Sequence, residues 1–423
     1  MKILWITNTI FPEPSKALDL PVPFTGGWMY GLAREVANQS NIELAVASVY
    51  SGKELRVDKI NGITYYTIPY KHTNKKYPRK LEPFWKSICE KFTPDIIHIH
   101  GTEYPRALAC IKAYPFDSYV ISIQGIVNKI GNYLYANIKP AVLLRNITFR
   151  DVLRNDNIIN RRNRLIKYGK SSEKEYFKLT NNVIGRTNFD YSYVKSLNPN
   201  IKYHFCNESL RDGFYKAEKW DINSIKPYTL FLSQSERTIK GLHMVLKAIF
   251  YLKNDFHDIQ IRVAGRDITK VDGFKDRLKL TSYGLYIRKL IRKFDLVDNV
   301  IFTGVLDGSK MVEELQRTHI FLCPSSIENS PNSLGEAQLI GTPVIASYVG
   351  GIPDMVVDGE TGLLYRFEEI EMLAENIRRV FNDNKFAVHL SENGIIAAEK
   401  RHNREENLRQ TLKIYNAVYN KTV

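Results

Sequence analysis

Short apolar runs alternate with longer amphipathic stretches along most of this 423-residue chain. Each run has the length of a buried strand, and each stretch has the spacing of a helix with one face on a core. Alternating strands and helices predict parallel sheets with helices on both faces. The predicted strands are 2–7, 42–49, 63–68, 96–100, 119–123, 183–185 and 203–205, followed by 228–232, 260–264, 300–302, 320–322 and 343–346.

The pattern restarts near residues 205–225, which predicts two doubly wound α/β domains, residues 1–206 and 207–402. The last stretch is amphipathic, and we expect a C-terminal helix within about 403–423 to return to the first domain. In open parallel sheets, ligands bind outside the carboxyl ends of the strands. Two such domains facing each other would form a central cleft, so residues directly after strands are the site candidates.

The charge predicts anionic partners, because 60 Lys and Arg against 45 Asp and Glu give a net charge of +15. Segment 139–170 mixes basic and apolar residues, which is typical either of a membrane-surface segment or of solvated helices. No apolar run reaches the roughly 18 to 20 residues that cross a bilayer. The four cysteines form no paired motif, which disfavours a zinc site or a disulfide framework and favours the cytoplasm.

The stretch after predicted strand 320–322 carries the most specific signal. Ser330 and Pro331 are typical of a helix start, as N-cap and first helical residue. The first free amides of that helix would belong to Asn332 and Ser333. These amides and the helix dipole form a site for an anion such as a phosphate.

Glu328 precedes this helix and Glu336 lies within it, so the two carboxylates would flank the anion site. A carboxylate accepts hydrogen bonds from vicinal hydroxyls. The arrangement suits a nucleotide diphosphate-sugar, with phosphates at the amides and ribose and sugar at the carboxylates. The alternative is a pair of surface glutamates, against which the position at a strand–helix junction argues.

Four sequence pieces in order resemble the donor-site signature of retaining glycosyltransferases of family four, the group 1 glycosyltransferases of the GT-B fold. The pieces are Glu328-x7-Glu336, Gly-Thr-Pro-Val-Ile-Ala at 341–346, Gly-Gly-Ile-Pro-Asp at 350–354 and Asp-Gly-Glu-Thr-Gly-Leu-Leu at 358–364. The resemblance implies transfer of a hexose-type sugar from a nucleotide-sugar, most commonly a UDP-sugar, to a glycan or lipid-linked acceptor.

The resemblance also assigns roles to residues. Arg237 and Lys240 match the basic pair that holds the donor diphosphate, and two cations offset two phosphate charges. Glu336 would bind the ribose, Glu328 would contact the transferred sugar, and residues 304–305 would frame the base with their backbone. The implied donor-binding residues are Gly26, Gly27, Arg237, Lys240, Gly304, Val305, Glu328, Ser330, Asn332, Ser333, Leu334 and Glu336. The candidate catalytic residues are Glu328, Lys240, Arg237 and His100.

The acceptor side is predicted from His100, Gln124 and Arg186 of the first domain. His98 and His100 point to one face of their strand, and His100, at its end, is expected to face the cleft. Many family members carry a histidine where this chain has Gln124, whose amide can bind a sugar hydroxyl but cannot act as a base. Proton transfer is then handled by another group or by His100, or activity is impaired. Arg186 either holds an anionic acceptor or donor phosphate or forms an interdomain salt bridge.

The leading interpretation is a retaining transferase in surface polysaccharide biosynthesis, peripheral at the inner face of the cytoplasmic membrane through 139–170. No Asp-x-Asp motif or His/Asp cluster lies where it would hold a divalent ion, so neither a metal nor a cofactor is expected. One alternative is a nucleotide-sugar epimerase of the same fold, which would produce a new isomer from donor alone. Another is a catalytically weak protein that binds nucleotide-sugar or nucleic acid, the latter with strong salt dependence.

Overall fold

The computed structural model describes residues 1–22, 26–71 and 76–420, and the chain forms two compact α/β units. The first unit comprises Met1–Asn128, Ile166–Arg211 and the residues from His402 onward; the second comprises Lys129–Leu165 and Asp212–Arg401. Segment Lys129–Leu165 therefore belongs to the second unit, whereas the sequence pattern placed it in the first. Packing explains this, because Ala136 is buried in one apolar cluster with Met244 and Phe367.

The first unit is built on an eight-stranded sheet. Its strands are β1 (Lys2–Thr7), β2 (Glu43–Tyr50), β3 (Arg56–Ile60), β4 (Ile63–Pro69), β5 (Ile96–His100), β6 (Tyr119–Ser122), β7 (Asn182–Gly185) and β8 (Lys202–Phe205). Their spatial order is β3-β4-β2-β1-β5-β6-β7-β8, and only the β3–β4 pair is antiparallel among the described strands. The strand order reverses between β1 and β5.

The second unit is built on a six-stranded parallel sheet. Its strands are β9 (Thr229–Leu232), β10 (Gln260–Ala264), β11 (Val300–Gly304), β12 (Ile320–Cys323), β13 (Val344–Ser347) and β14 (Leu363–Tyr365). Their spatial order is β11-β10-β9-β12-β13-β14. The strand order reverses between β9 and β12, which makes this pair the switch point of the sheet.

Helices connect the strands and cover the sheets. In chain order they are α1 (Pro12–Ala17), α2 (Gly27–Ala37), α3 (Glu82–Phe92), α4 (Arg106–Ala113), α5 (Val127–Tyr133), α6 (Pro140–Arg145), α7 (Phe149–Leu153), α8 (Ile158–Tyr168), α9 (Lys174–Leu179), α10 (Asn188–Leu197), α11 (Asp212–Lys216), α12 (Leu242–Leu252), α13 (Phe274–Lys279), α14 (Ser282–Lys293), α15 (Gly308–Arg317), α16 (Asn332–Ile340), α17 (Ile370–Asn382), α18 (Asn384–Arg401) and α19 (Arg404–Tyr419). Within the described residues, no helix is long and apolar enough to span a membrane.

Both faces of the first sheet are buried, as β1 shows. Ile3 and Trp5 pack in one apolar cluster, while Leu4 and Ile6 pack in another. Successive side chains of a strand point to opposite faces, so a fully buried strand reads as a continuous apolar run. The sequence of β1 therefore matches its central position in the sheet.

The C-terminal helix α19 belongs to the first unit, and its position is fixed by polar contacts in the sheet core. Asn403 caps it by accepting a hydrogen bond from the Glu406 amide. The Tyr415 hydroxyl accepts from the Trp5 indole at 3.0 Å and lies 2.6 Å from His98 Nδ1. The predicted helix extended to about residue 423, and residues 421–423 lie outside the described residues.

Candidate functional site

The carboxyl ends of β9 and β12 lie side by side where the strand order of the second sheet reverses. Because the chain leaves these strands toward opposite sides, the two loops that follow separate and leave a crevice. The loop after β9 contains the short 3₁₀ helix Thr238–Lys240. The loop after β12 contains Glu328 and leads into α16.

Lys240 and Glu328 meet in this crevice as an ion pair. Lys240 Nζ lies 2.6 Å from Glu328 Oε1, and the Ser325 hydroxyl donates to the same oxygen at 2.7 Å. Burial lowers the pKa of Lys240, but the Glu328 carboxylate more than offsets this and the pKa lies above its ordinary value. Lys240 is therefore a fixed cation held against a carboxylate of the site.

Two glycines let the loops of the crevice approach this closely. Gly241 has a φ of +72°, and a Cβ atom there would lie 1.7 Å from the Pro324 carbonyl oxygen. Gly350 has a φ of +53°, and its Cβ atom would lie 1.9 Å from the Glu328 carbonyl oxygen. Any other residue would clash at both positions and strain the backbone. The Gly351 amide also donates to the Glu328 carbonyl at 3.1 Å.

The helix after Glu328 begins one residue later than predicted. Pro331, expected as the first helical residue, occupies the N-cap position of α16 with φ −72° and ψ 116°, and no side chain caps the helix. The N-cap role predicted for Ser330 is therefore wrong. The φ near −65° that proline requires is compatible with the extended N-cap conformation as well as with a first helical residue, so Pro331 takes the N-cap position instead. The Ser330 hydroxyl instead accepts a hydrogen bond from the Arg401 guanidinium at 3.4 Å.

The start of α16 presents free backbone donors. The Leu334 amide donates a hydrogen bond to the Pro331 carbonyl at 3.0 Å. Within the described residues, the amides of Asn332 and Ser333 donate to no acceptor, as expected for the first residues of a helix. Glu336 lies one turn further along and is buried at 5% exposure.

Three further predicted donor residues lie after or at the ends of strands of the same unit: Arg237 follows β9, Gly304 ends β11 and Val305 comes next. Arg237 is exposed and lines a cavity of about 630 Å³. Its positive charge lowers the pKa of Lys240. Gly304 ends β11 with a φ of +79°, and its carbonyl accepts from the Gly265 amide. Val305 follows at 54% exposure.

Backbone carbonyls of segment Lys129–Leu165 hold the two site loops. The Thr238 hydroxyl donates to the Leu134 carbonyl, and the Ser326 hydroxyl donates to the Tyr133 carbonyl at 3.0 Å. The Ser326 amide in turn donates to the Ile239 carbonyl at 2.8 Å. This segment therefore fixes the loop after β9 and the loop after β12 to each other.

In the first unit, Gly26 and Gly27 follow β1, one of the two strands at its switch point. Gly26 has a φ of +84° and takes the N-cap position of α2, which starts at Gly27. A Cβ atom on Gly27 would lie 3.3 Å from the Arg211 side chain. The glycine loop is thus a helix start with close backbone packing.

His100 ends β5 as predicted, but the expectation that it faces an open cleft is wrong. The side chain is 3% exposed and its ring lies 4.3 Å from that of Trp5 and 3.9 Å from that of His98. Burial lowers the pKa of His100 to about 3, so the ring is neutral near pH 7. Neither ring nitrogen has a hydrogen-bond partner within the described residues.

A cavity of about 20 Å³ adjoins His100, which is room for about one water molecule. His98, in contrast, is fully bonded, because its Nε2 atom lies 2.7 Å from the Ser122 hydroxyl and its Nδ1 atom contacts Tyr415. His98 therefore links β5, β6 and α19 and has a structural role.

The half-buried Gln124 and the buried Arg186 and Glu208 form one polar cluster in the first unit. The Gln124 amide donates to Glu208 Oε1 at 2.7 Å, and the Arg186 guanidinium forms an ion pair with Glu208. Arg186 also donates to the Ile123 carbonyl at 3.0 Å. Arg186 thus has an ion-pair partner inside its own unit.

Sequence reasoning missed Glu208, Ser325 and the steric role of Gly241. Glu208 follows β8 within three residues, so its place after a strand was the available signal. Ser325 lies three residues before Glu328, close enough for a local hydrogen bond. Gly241 directly follows Lys240, and a glycine beside a candidate cation indicates close backbone approach.

Part of the chain is similar in sequence to known glycosyltransferases. Residues 215–396 match the model of "Glycosyl transferases group 1". The chain is 26% identical over 179 residues to the glycogen synthase of Mycobacterium tuberculosis, an alignment that covers 41% of this chain and 39% of that protein. The chain thus spans about two fifths of the length of this curated relative.

Two solved structures share the fold over the whole chain. The sucrose-phosphate synthase of Thermosynechococcus elongatus superposes with a TM-score of 0.71 at 17% identity, covering 100% of both chains. Anabaena HepE, solved in complex with UDP and glucose, gives a TM-score of 0.63 at 14% identity and covers 99% of this chain and 100% of its own. The two α/β units therefore have the GT-B fold, which confirms the predicted fold class.

Proposed function

We propose that this chain, whose residues 215–396 match the model of "Glycosyl transferases group 1", transfers a hexose-type sugar from a nucleotide-sugar donor with retention of configuration. The observation that carries this proposal is the convergence of Lys240, Glu328 and the free amides of α16 at the carboxyl ends of β9 and β12. The cation and the free amides at the helix start can bind the two phosphates of a sugar diphosphate, and the carboxylate can accept hydrogen bonds from its sugar.

The diphosphate of the donor would be held by Lys240, Arg237 and the amides of Asn332 and Ser333. These groups are in place before the reaction, so they stabilise the negative charge that develops on the leaving diphosphate. Because they supply this positive charge themselves, we propose that the transfer needs no metal ion. Hydroxyls of the ribose would donate to Glu336, and hydroxyls of the transferred sugar would donate to Glu328.

In the transfer step, the bond between the anomeric carbon and the phosphate oxygen breaks. The acceptor oxygen bonds to the same face of that carbon, and the leaving phosphate oxygen takes the acceptor's proton. No protein base is needed, which makes Gln124 compatible with activity and leaves the neutral, buried His100 out of the proton transfer. The roles of Gly26, Gly27, Gly304 and Val305 toward the donor stay predictions.

We further propose a UDP-sugar as donor, supported by the complex of HepE with UDP and glucose. A glycan or lipid-linked acceptor is supported by the glycogen synthase relative and by the basic and apolar character of segment 139–170. Such an acceptor would fit surface polysaccharide biosynthesis at the inner face of the cytoplasmic membrane, with the protein in the cytoplasm. Gln124 and Arg186 are the proposed contacts to sugar or acceptor.

Donor turnover in three variants tests the site. We expect Glu328→Ala, Glu336→Ala and Lys240→Ala each to slow release of the nucleoside diphosphate by about 100-fold, the effect of removing one transition-state contact. Glu314→Ala is the matched control, because it breaks an ion pair of the same unit, with Arg262 at 2.6 Å, outside the crevice. Wild-type rates in all three site variants would overturn the assignment.

A further inference from the structure

Two short helices from distant parts of the chain share a sequence pattern and lie against each other in the second unit. Helix α7 reads Phe149-Arg-Asp-Val-Leu153, and α13 reads Phe274-Lys-Asp-Arg-Leu278-Lys. Both have the form Phe-basic-Asp-x-Leu. The two helices are in contact, and their exposed residues together are named here the α7–α13 surface.

The apolar residues of this surface are exposed. Phe149 is 64% exposed, Leu153 is 73% exposed and Phe274 is 74% exposed, and Val152 and Leu278 are also on the exposed side. Single exposed apolar residues are ordinary, but a cluster of phenylalanine and leucine on two adjoining helices marks an interaction site.

Hydrogen bonds hold α7 in this position. The Thr148 hydroxyl donates to the Leu280 carbonyl at 2.8 Å, and Asp151 accepts from the Ser282 amide at 2.9 Å. Asp151 and Thr148 also form a capping box at the start of α7. The exposed phenylalanine and leucine side chains are therefore presented by a fixed scaffold.

The charges of the α7–α13 surface select its partner. The exposed charges within the two helices and at Arg154, next to α7, are cationic, namely Arg154, Lys275, Arg277 and Lys279. Asp272, two residues before α13, is also exposed and pairs with Lys270. The carboxylates of Asp151 and Asp276 accept hydrogen bonds from backbone amides. A second copy of the chain would place like charges together, whereas an anionic bilayer offers phosphate groups to the cations and acyl chains to the phenylalanines.

We propose that the α7–α13 surface docks the protein on an anionic membrane, with Phe149, Leu153 and Phe274 inserted at the headgroup level. The inference deepens the proposed membrane-peripheral function and rests on it. The proposed membrane contact is thereby moved from the whole of segment 139–170 to α7 and α13. Helix α13 lies outside that segment, and part of the basic charge in α8 has partners within the protein. Arg164, for example, pairs with Asp156, and Arg162 lies over the Tyr135 ring.

Vesicle sedimentation of the full chain tests the proposal. We expect binding to phosphatidylglycerol vesicles at low salt, release at high salt, and little binding to phosphatidylcholine vesicles. The triple variant Phe149→Ser/Leu153→Ser/Phe274→Ser should bind at least about tenfold more weakly, since each apolar side chain contributes to the buried area. The control Val297→Ser/Ile396→Ser removes residues of 62% and 65% exposure from the same unit and should bind within twofold of wild type.

Single tryptophan substitutions, followed by fluorescence, test the same surface even if the triple variant folds poorly. Phe149→Trp and Phe274→Trp should each shift to shorter emission wavelength on phosphatidylglycerol vesicles, while Val297→Trp should not. The rise in melting temperature that a nucleotide-sugar causes, measured without vesicles, should be the same in these variants as in wild type. A failure of membrane docking can therefore be distinguished from a failure of the donor site. Equal shifts in all three tryptophan variants, vesicle binding unaffected by the triple variant, or concentration-dependent self-association through this surface without vesicle binding would each overturn the proposal.

Discussion

Lys240 Nζ lies 2.6 Å from Glu328 Oε1, although the two residues are 88 positions apart in sequence. The pair joins the loop after β9 to the loop after β12 at the switch point of the sheet. A donor diphosphate bound as proposed would therefore compete with Glu328 for the Lys240 ammonium. Glu328 would then have two effects, because its carboxylate would attract sugar hydroxyls and repel phosphate oxygens.

Glu328→Gln should separate these effects. We expect nucleoside diphosphate to bind about threefold to tenfold more tightly, because a nearby negative charge is removed and Lys240 is released. Donor turnover should fall, since the amide replaces the proposed sugar contact. Isothermal titration with UDP and a nucleotide-release assay measure the two quantities. Weaker UDP binding in this variant would mean that Lys240 does not contact the phosphates.

Gly350→Ala should damage the site through its backbone. The added Cβ atom would meet the Glu328 carbonyl at 1.9 Å, so the loop must shift and carry Glu328 with it. Gly359→Ala is the matched control, because its φ is +79° but nothing lies within 4 Å of the added atom. The control should lose about 1–2 kcal/mol of unfolding free energy with unchanged turnover. Gly350→Ala should lose more than the control, with turnover at least about tenfold lower; equal turnover would contradict the packing argument.

The positions of the candidate site residues in the second unit were largely predictable, because their sequence signals are local. Glu328, Asn332, Ser333 and Glu336 lie around one strand–helix junction, which a single stretch of sequence encodes. Every predicted strand is present, with ends shifted by at most two residues. The strands β3 and β14 were missed, since β3 is largely exposed and polar and β14 has only three residues.

The first unit was harder to predict, because burial depends on contacts that are distant in sequence. His100 ends its strand and looked open, yet Trp5 and Trp28 pack near its ring. Gln124 and Arg186 share Glu208, a partner 84 residues away from Gln124. Segment Lys129–Leu165 follows strands of one unit but packs in the other, and only tertiary contacts decide that.

His100→Phe should change the pH dependence of stability. The folded pKa of about 3 lies below the unfolded value near 6.5, so the unfolded state binds more protons between these pH values. His100 therefore makes the unfolding free energy rise with pH from about 3 to 6.5. Chemical denaturation at several pH values should show a shallower rise in the variant, by up to about 1.4 kcal/mol per pH unit. Identical slopes would show that His100 is not buried in the neutral form.

Glu208→Ala should destabilise the first unit by about 3–5 kcal/mol, because it removes one partner of a buried ion pair with the Arg186 guanidinium. The Arg186 and Glu208 side chains are only 5% and 9% exposed. Glu90→Ala is the control, since the Lys86–Glu90 pair is 62% and 57% exposed and should contribute less than about 1 kcal/mol. Similar losses in both variants, measured by urea unfolding, would argue against a buried ion pair.

The crevice between β9 and β12 is proposed to bind the diphosphate of a nucleotide-sugar. The most direct test is a thermal-shift titration of wild type and Lys240→Ala with a panel of nucleotide-sugars, because a ligand that binds only the native state raises the melting temperature. We predict that at least one nucleotide-sugar stabilises wild type in a saturable manner and that Lys240→Ala needs at least about tenfold more ligand for the same shift. Equal stabilisation of both proteins, or no stabilisation of wild type by any nucleotide-sugar, would contradict the claim.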